Sequence, residues 1–293
     1  MNVAVIGLGK WGKNLFRVFH KHSIVNWYAT NTKSNNYEWA RNKYPEIVAT
    51  TNYKDHINDN SLDAIIIAVP IDNHFQVAKD AINAGKHIFL EKPITSNLSD
   101  AEKLVELVNN KILFVGHMYI YHPCYLKIKE ILSYDPALEI NMDWKKLGSF
   151  DEDIYYNLLS HDISILLNLF GGYPENIIKE KVNPKNRSDI IDFSMILNNE
   201  VKCSISINRI HPIKRKEVKI LTKSGRQLFW IDNSIIEIDK QNSFSKLIFE
   251  CTEDILELEC KEFLKCINSK IDPISNAKFG QNVIEWIDII KSS

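Results

Sequence analysis

The chain has no apolar run approaching the roughly 20 residues needed to cross a bilayer, so no membrane-spanning helix is expected. It also lacks a charge excess of either sign: 36 basic side chains face 37 acidic ones, for a net charge of −1. That balance supplies neither the basic stripe of a nucleic-acid binder nor a polybasic membrane anchor. Cysteine is sparse. Cys124, Cys203, Cys251, Cys260 and Cys266 are odd in number and include no C-x-x-C pair, which argues against a disulfide framework and a zinc cluster. Reduced thiols packed as small hydrophobes in a cytoplasmic protein are expected instead. The opening "MNVAVIGLGKWGKNLF" lacks the layout of a signal peptide and reads as a first strand. Internal repeats and low-complexity linkers are absent too. What remains is an ordinary globular composition, 45% apolar and 25% charged, over 293 residues. That length suits about two domains of ~150 residues.

The pattern changes partway along. Up to residue 118, strand-like and helix-like segments alternate: "NVAVIGLG" (2–9), a helix over 10–22, "IVNWYA" (24–29), a short helix over 35–44, and "LDAIIIAVP" (62–70). A helix over 71–85, the strand "KHIFLEKP", a helix over 97–110 and "ILFVGHM" (112–118) follow. Such alternation predicts βαβ units on a parallel sheet. Beyond 118, helices near 124–134 and 154–171 precede strand-like segments at 189–197, 201–209, 216–223, 226–231 and 234–239. Tight connections such as "KSGR" (223–226) predict hairpins, hence an α+β domain with a mostly antiparallel sheet. Helices over 254–269 and 278–291 close the chain. The expected division is 1–118 and 119–293.

Gly7-Leu8-Gly9-Lys10-Trp11-Gly12 is G-x-G-x-x-G between the first strand and first helix. Gly7 permits a tight turn, Gly9 lets backbone approach a pyrophosphate, and Gly12 lets the helix pack on the strand. The helix start attracts the phosphates, with Trp11 beside them. An acid roughly 20 residues on would hold the ribose of NAD. The end of the second strand carries Thr30, Asn31, Thr32 and Lys33 instead, and no acid before Glu38. This set favours NADP over NAD, with Lys33 either pairing a 2′-phosphate or standing as a solvated loop charge.

"HIFLEKPI" (87–94) ends a buried strand on Glu91-Lys92-Pro93. Ligands of such sheets lie beyond the carboxyl ends of the strands. The Lys92 ammonium there can hold a hydroxyl and stabilise the alkoxide that forms as hydride leaves, while Pro93 restricts where it points. Glu91 can accept from a ribose or a backbone donor. Residue types alone leave an ordinary ion pair at a strand end equally open.

Taken together, "AVIGLGKWGKN", "AIIIAVPIDNHFQVAKDAINAGKHIFLEKPI", "VGHMYIYHP" and the closing "EFLKCINSKIDPISNAKFGQNVIEWIDIIKSS" make the chain resemble the Gfo/Idh/MocA family of NAD(P)-dependent sugar oxidoreductases over nearly its whole length. The resemblance implies an N-terminal Rossmann domain, doubly wound, and a second domain on an open, mostly antiparallel sheet that forms homo-oligomer contacts. It implies that Lys92 is the catalytic lysine. It also implies that Pro70 lines the nicotinamide or ribose, with Asn73 and His74 close by. His74 alternatively reads as a solvent-facing residue at a helix start.

Asp153, Asn157 and His161 recur every four residues on a predicted helix. His161 can take or return a hydroxyl proton near neutral pH; on residue type alone it also reads as a satisfied structural histidine. The family pattern is Asp-x-x-x-His. His161 matches it and Asn157 departs from it, since Asn cannot carry a proton or a negative charge but can orient a hydroxyl. Asp162 reads as structural. Tyr119 and Tyr121 lie where they can line a sugar pocket. The expectation is an enzyme moving hydride between a nicotinamide and a carbinol carbon of a sugar, nucleotide sugar or polyol. Two rivals stay open: a dinucleotide-binding regulator without turnover, and a redox-neutral glycosidase using bound NAD.

Overall fold

The computed structural model describes residues 1–30, 35–146, 153–182, 189–198, 200–239 and 244–293. Its first strands are β1 (Asn2–Ile6), β2 (Ile24–Ala29), β3 (Val48–Thr50), β4 (Ala64–Ile67), β5 (His87–Glu91) and β6 (Leu113–Gly116). The helices among them are α1 (Gly12–His22), α2 (Asn35–Lys43), α3 (His74–Asn83) and α4 (Leu98–Leu107). Helix α5 (Pro123–Tyr134) and strand β7 (Ala137–Lys145) follow, then α6 (Ser160–Phe170). Next come β8 (Glu175–Val182), β9 (Ile190–Leu197), β10 (Val201–Asn208), β11 (Arg215–Thr222), β12 (Gln227–Ile231), β13 (Ser234–Asp239) and β14 (Phe244–Glu250). Helices α7 (Ile255–Ser269) and α8 (Ala277–Ser292) end the chain. The described residues form two compact units: Met1–Met118 with Asp254–Ile284, and Tyr119–Glu253 with Glu285–Ser293.

In the first unit six strands run parallel in the order β3-β2-β1-β4-β5-β6. The order reverses between β1 and β4, the switch point where doubly wound sheets open a ligand crevice. Ile65, Ile66 and Ile67 are fully buried because helices cover both sides of β4. Phe89 of β5 stacks on Phe114 of β6 at 5.3 Å, and Phe19 of α1 meets Phe89 edge-on at 5.5 Å. Phe263 of α7 completes this cluster at 5.6–6.0 Å from the other rings. Helix α7, which the sequence pattern assigns to the second domain, therefore packs on the first sheet. Its apolar face, with Phe263, Leu256 and Cys260 buried, is the reason, since a fully buried Phe contributes about 1.5–3 kcal/mol. Asp254 caps the helix by accepting from the Leu256 and Glu257 amides.

The second unit is built on eight strands in the order β14-β13-β12-β11-β7-β10-β9-β8. Every neighbouring pair is antiparallel except β7 and β10. Register aligns Ile140, Met142 and Trp144 of β7 with Ile220, Val218 and Lys216 of β11, and with Cys203, Ile205 and Ile207 of β10. This face is apolar apart from Lys216. The opposite face carries Asn141, Asp143, Ser204, Ser206, Glu217 and Lys219. One π-helical turn (Tyr155–Leu159) leads into α6, where the sequence predicts a single helix from 154. Strands β3, β7, β8 and β14 go unpredicted in the sequence. β7 is central, whereas β3, β8 and β14 are edge strands whose short length or interleaved charge hides their alternation. Among the described residues no helix is long and apolar enough to cross a membrane. No group of three His, Cys, Asp or Glu side chains there suits a metal ion.

Candidate active site

The first unit assembles its candidate ligand-facing elements from backbone. Gly7 follows β1 with φ +96° and donates its N–H to the Ala29 carbonyl at 2.8 Å. A Cβ at Gly7 would lie inside the Ala68 carbonyl, and one at Gly12 inside the Gly7 carbonyl. These two glycines let β1, the turn and α1 pack on the end of β4. Gly9 differs, because nothing lies within 4 Å of a Cβ built there. Its backbone is open to an approaching group. Helix α1 has no side-chain cap at Trp11 and no acid in its first turn, so its own first turn sets no carboxylate against the positive end of its dipole. That arrangement fits a diphosphate. Lys10 beside it is exposed.

Thr30 leaves β2 with its N–H on the Thr50 carbonyl at 3.1 Å. Asn31, Thr32 and Lys33 lie outside the described residues. Beyond β4, Pro70 precedes and Asn73 ends a 3-10 turn (Ile71–Asn73), and both are exposed. His74 corrects the solvent-facing reading. It is 2% exposed, with Nδ1 2.8 Å from the Pro93 carbonyl and Nε2 3.0 Å from the Val69 carbonyl. Both neighbours are acceptors, so the neutral ring donates to one at a time and the imidazolium to both. The ring ties the end of β4 to the turn after β5.

Lys92 stands just past the carboxyl end of β5, half-buried, and the Lys92–Pro93 peptide is cis. Glu91 is buried. One of its oxygens accepts the Trp11 indole N–H, and the other accepts the Lys92 amide at 3.2 Å. Trp11 is thus fixed to the end of β5, although its ring remains 40% exposed. Gly116 pairs with Glu91 in register, so Lys92 and His117 each lie one step past that pair on neighbouring strands. His117 is fully buried, and its ring nitrogens have no hydrogen-bond partner among the described residues. Burial, then the Lys92 charge, pushes it down to about 3, so the ring is neutral. Glu259 of α7 is also buried. Burial and then the Glu91 charge hold its carboxyl well above the usual range. His117 and Glu259 escaped the sequence reading because nothing local marks either as buried.

The second unit assembles side chains. His161 is nearly buried at the start of α6. Trp144 stacks on it at 5.3 Å and 25°, and Tyr119 meets it edge-on at 5.1 Å and 87°. The Lys216 ammonium sits 3.4 Å from the Tyr119 ring centre, 3.9 Å from that of Trp144 and 3.5 Å from Asp162 Oδ1. Burial raises the Asp162 carboxyl and Lys216 opposes that shift. Burial, followed by the Asp162 charge, also raises the Tyr119 hydroxyl. Asn157 lies half-buried on the π turn. Asp153 does not join the histidine face: its carboxylate accepts the Tyr155 amide at 2.8 Å and pairs with Lys291 at 2.9 Å. Tyr121 is buried. The sequence reading missed Lys216. The available signal was a lone lysine on a strand whose partner strand presents a tryptophan.

Residues 1–117 match the model of the Gfo/Idh/MocA oxidoreductase family, described as having an NAD-binding Rossmann fold. An uncharacterized oxidoreductase of Escherichia coli is 30% identical over 144 residues, covering 44% of this chain and 42% of that protein. A UDP-N-acetylglucosamine 3-dehydrogenase of Acidithiobacillus ferrooxidans is 26% identical over 167 residues, covering 54% of this chain and 52% of that one. These matches thus span about half the length of the relatives. A solved structure of the Acidithiobacillus ferrooxidans UDP-N-acetylglucosamine 3-dehydrogenase superposes with a TM-score of 0.90 at 20% identity, over 100% of this chain and 97% of that one. At that identity the likeness is one of fold.

Proposed function

Since the first 117 residues match the model of the Gfo/Idh/MocA oxidoreductase family, with its NAD-binding Rossmann fold, we propose that the protein is an NAD(P)-dependent dehydrogenase or reductase of that family. Its substrate carbon is a carbinol or carbonyl of a sugar, nucleotide sugar or polyol. One observation carries this reading: Lys92 stands at the carboxyl end of β5, in the same parallel sheet whose switch point carries the open glycine turn. An amine at that end of such a sheet lies on the ligand side.

Gly7, Gly9, Lys10, Trp11 and Gly12 hold the dinucleotide's phosphates, and Thr30 with residues 31–33 faces its ribose. NAD(P) supplies the hydride acceptor or donor when bound. Pro70 and Asn73 border the nicotinamide side, while His74 and Glu91 keep the strand ends in place. Lys92 holds the reacting oxygen and stabilises the negative charge that develops on it. His161 takes the hydroxyl proton in oxidation and returns it in reduction. Asn157 and Tyr119 orient the sugar. The absence of an acid at 30–34 favours NADP. A homo-oligomer formed through the second sheet, in the cytoplasm, completes the reading.

The test incubates the protein with NAD or NADP and a panel of sugars, nucleotide sugars and polyols. Reduced cofactor is followed by absorbance and sugar products by mass spectrometry. Turnover coupled to cofactor reduction is expected. Tight cofactor binding without any product would establish a regulator instead. Sugar cleavage with no net cofactor change would establish a redox-neutral glycosidase.

A further inference from the structure

On the buried face of the second sheet, the position directly across from Trp144 is Lys216, a cation amid Ile140, Met142, Val218 and Ile220. Burying an ammonium there is costly unless it is paired, and an apolar residue of similar size would fill the space. The side chain is 12% exposed. It is held on three sides, by Asp162 at 3.5 Å and by the Tyr119 and Trp144 rings at 3.4 and 3.9 Å. Those two rings also frame His161, one stacked and one edge-on. Trp230 backs Tyr119 at 6.2 Å and His122 at 5.0 Å. The cage therefore has two sides, a fixed cation and a titratable imidazole, which share the same pair of rings.

We propose that Lys216 is a positioning residue for His161: clamped by Asp162, it locks the Tyr119 and Trp144 rings that fix the imidazole plane, and its charge keeps the imidazole in the neutral, proton-accepting form. This rests on the proposed role of His161 in proton transfer. A stacked indole face attracts an imidazolium. A second cation on the same indole counters the attraction, so the ring stays ready to accept the hydroxyl proton as hydride leaves the carbon. The negative charge lost with aspartate at position 157 is thus unnecessary for orienting the ring. Among the described residues of this unit, the charged and titratable groups around His161 include Asp162 on its own helix, Lys216 on β11 and Tyr119 on the turn before α5. Cys203 of β10 lies within the field of Asp162, and His122 within that of Lys216. Burial holds the Cys203 thiol protonated and His122 down at about 4, so neither titrates alongside His161.

The test is an NMR titration of the histidine rings in the full chain, without cofactor or sugar, with the His161 signal assigned by its loss in His161→Asn. Removing the cation in Lys216→Met should raise the His161 midpoint by about one pH unit. Asp162→Asn leaves the lysine uncompensated and should lower it. Lys216→Arg retains the charge and should leave the midpoint in place. With substrate turning over, Lys216→Met should lower kcat about tenfold or more with KM within about threefold, since a misplaced base acts on the chemical step. A merely structural lysine predicts no opposed shifts. Midpoints that stay put, or move together in Lys216→Met and Asp162→Asn, overturn the proposal. If Lys216→Met does not fold, the Asp162→Asn and Lys216→Arg titrations decide it alone. If the midpoints move as stated but no sugar is ever oxidised or reduced, the functional reading falls and the Lys216 device stands.

Discussion

The two units build their candidate residues from opposite materials. The first relies on main chain: a turn of glycines, an uncapped helix start and strand ends fixed by Trp11, Glu91 and His74. The second relies on side chains drawn from four separate segments, Tyr119, Trp144, His161 and Lys216. A main-chain site fails when a Cβ is added in the wrong place. A side-chain site fails when one ring or charge is removed. The exception in the first unit is Lys92, a side chain carried on that rigid main chain, and it should show the largest effect. Lys92→Ala is expected to lower kcat by about a thousandfold, in line with the loss of one donor to a developing oxyanion. The dissociation constant for NADP should stay within a few fold, because the glycine turn is untouched. Steady-state kinetics together with a cofactor titration checks both halves. Near-normal turnover would remove Lys92 from the chemistry.

Glycines give the next largest effects, and they separate packing from binding. Gly7→Ala places a Cβ against the Ala68 carbonyl at a positive φ, and is expected to destabilise the protein by about 2–4 kcal/mol. Gly9→Ala meets no protein atom, so its urea midpoint should match the parent while its cofactor affinity drops about tenfold. Equal loss of stability in both variants would mean that the turn around Gly9 serves packing rather than a ligand.

Buried carboxyls extend the contrast to pH. Asp162 has a lysine against it, whereas Glu259 has the field of a second carboxylate, Glu91. In the unfolded chain a glutamate loses its proton near pH 4.5, while folded Glu259 keeps it well above that. Between those limits the folded state binds the extra proton, so stability falls as pH rises, by about 1.4 kcal/mol per pH unit. Glu259→Gln removes this share of the slope and leaves the share due to Asp162. Urea midpoints at pH 5 and pH 7 should therefore lie closer together in the variant than in the parent. An unchanged difference would mean that folded Glu259 is already ionised.

What could be read from the sequence follows the same division. Gly7, Gly9 and Gly12 report on backbone, and backbone requirements are written over a few consecutive residues, so the turn and its strand and helix were legible. Glu91-Lys92-Pro93 was legible for the same reason. The ring cage was not, because its members are separated by up to about a hundred positions and only the β7–β11 register brings Lys216 opposite Trp144. The helical spacing of Asp153, Asn157 and His161 was misleading for a local reason. A π turn intervenes, and Asp153 is engaged as a cap and with Lys291. Helix α7 was misplaced because chain order says nothing about which sheet an apolar face will cover.

The smallest expected effect falls at Thr30, where the main-chain site of the first unit makes its one choice by side chain. Thr30 directly follows β2 with its amide bonded to Thr50, so a substitution there changes the charge beyond the strand without disturbing the pairing. Thr30→Asp introduces a carboxylate able to accept from a ribose 2′-hydroxyl and to repel a 2′-phosphate. The ratio of kcat/KM for NADP to that for NAD should fall by about tenfold, equivalent to ~1.4 kcal/mol. Most of the change should appear in KM for NADP, since the charge acts far from the reacting carbon. It should also shrink as salt is added, because an exposed charge pair is screened over about 10 Å at 0.1 M. A ratio unaltered at low salt would move the ribose away from the end of β2 and leave the glycine turn as the sole determinant of cofactor binding.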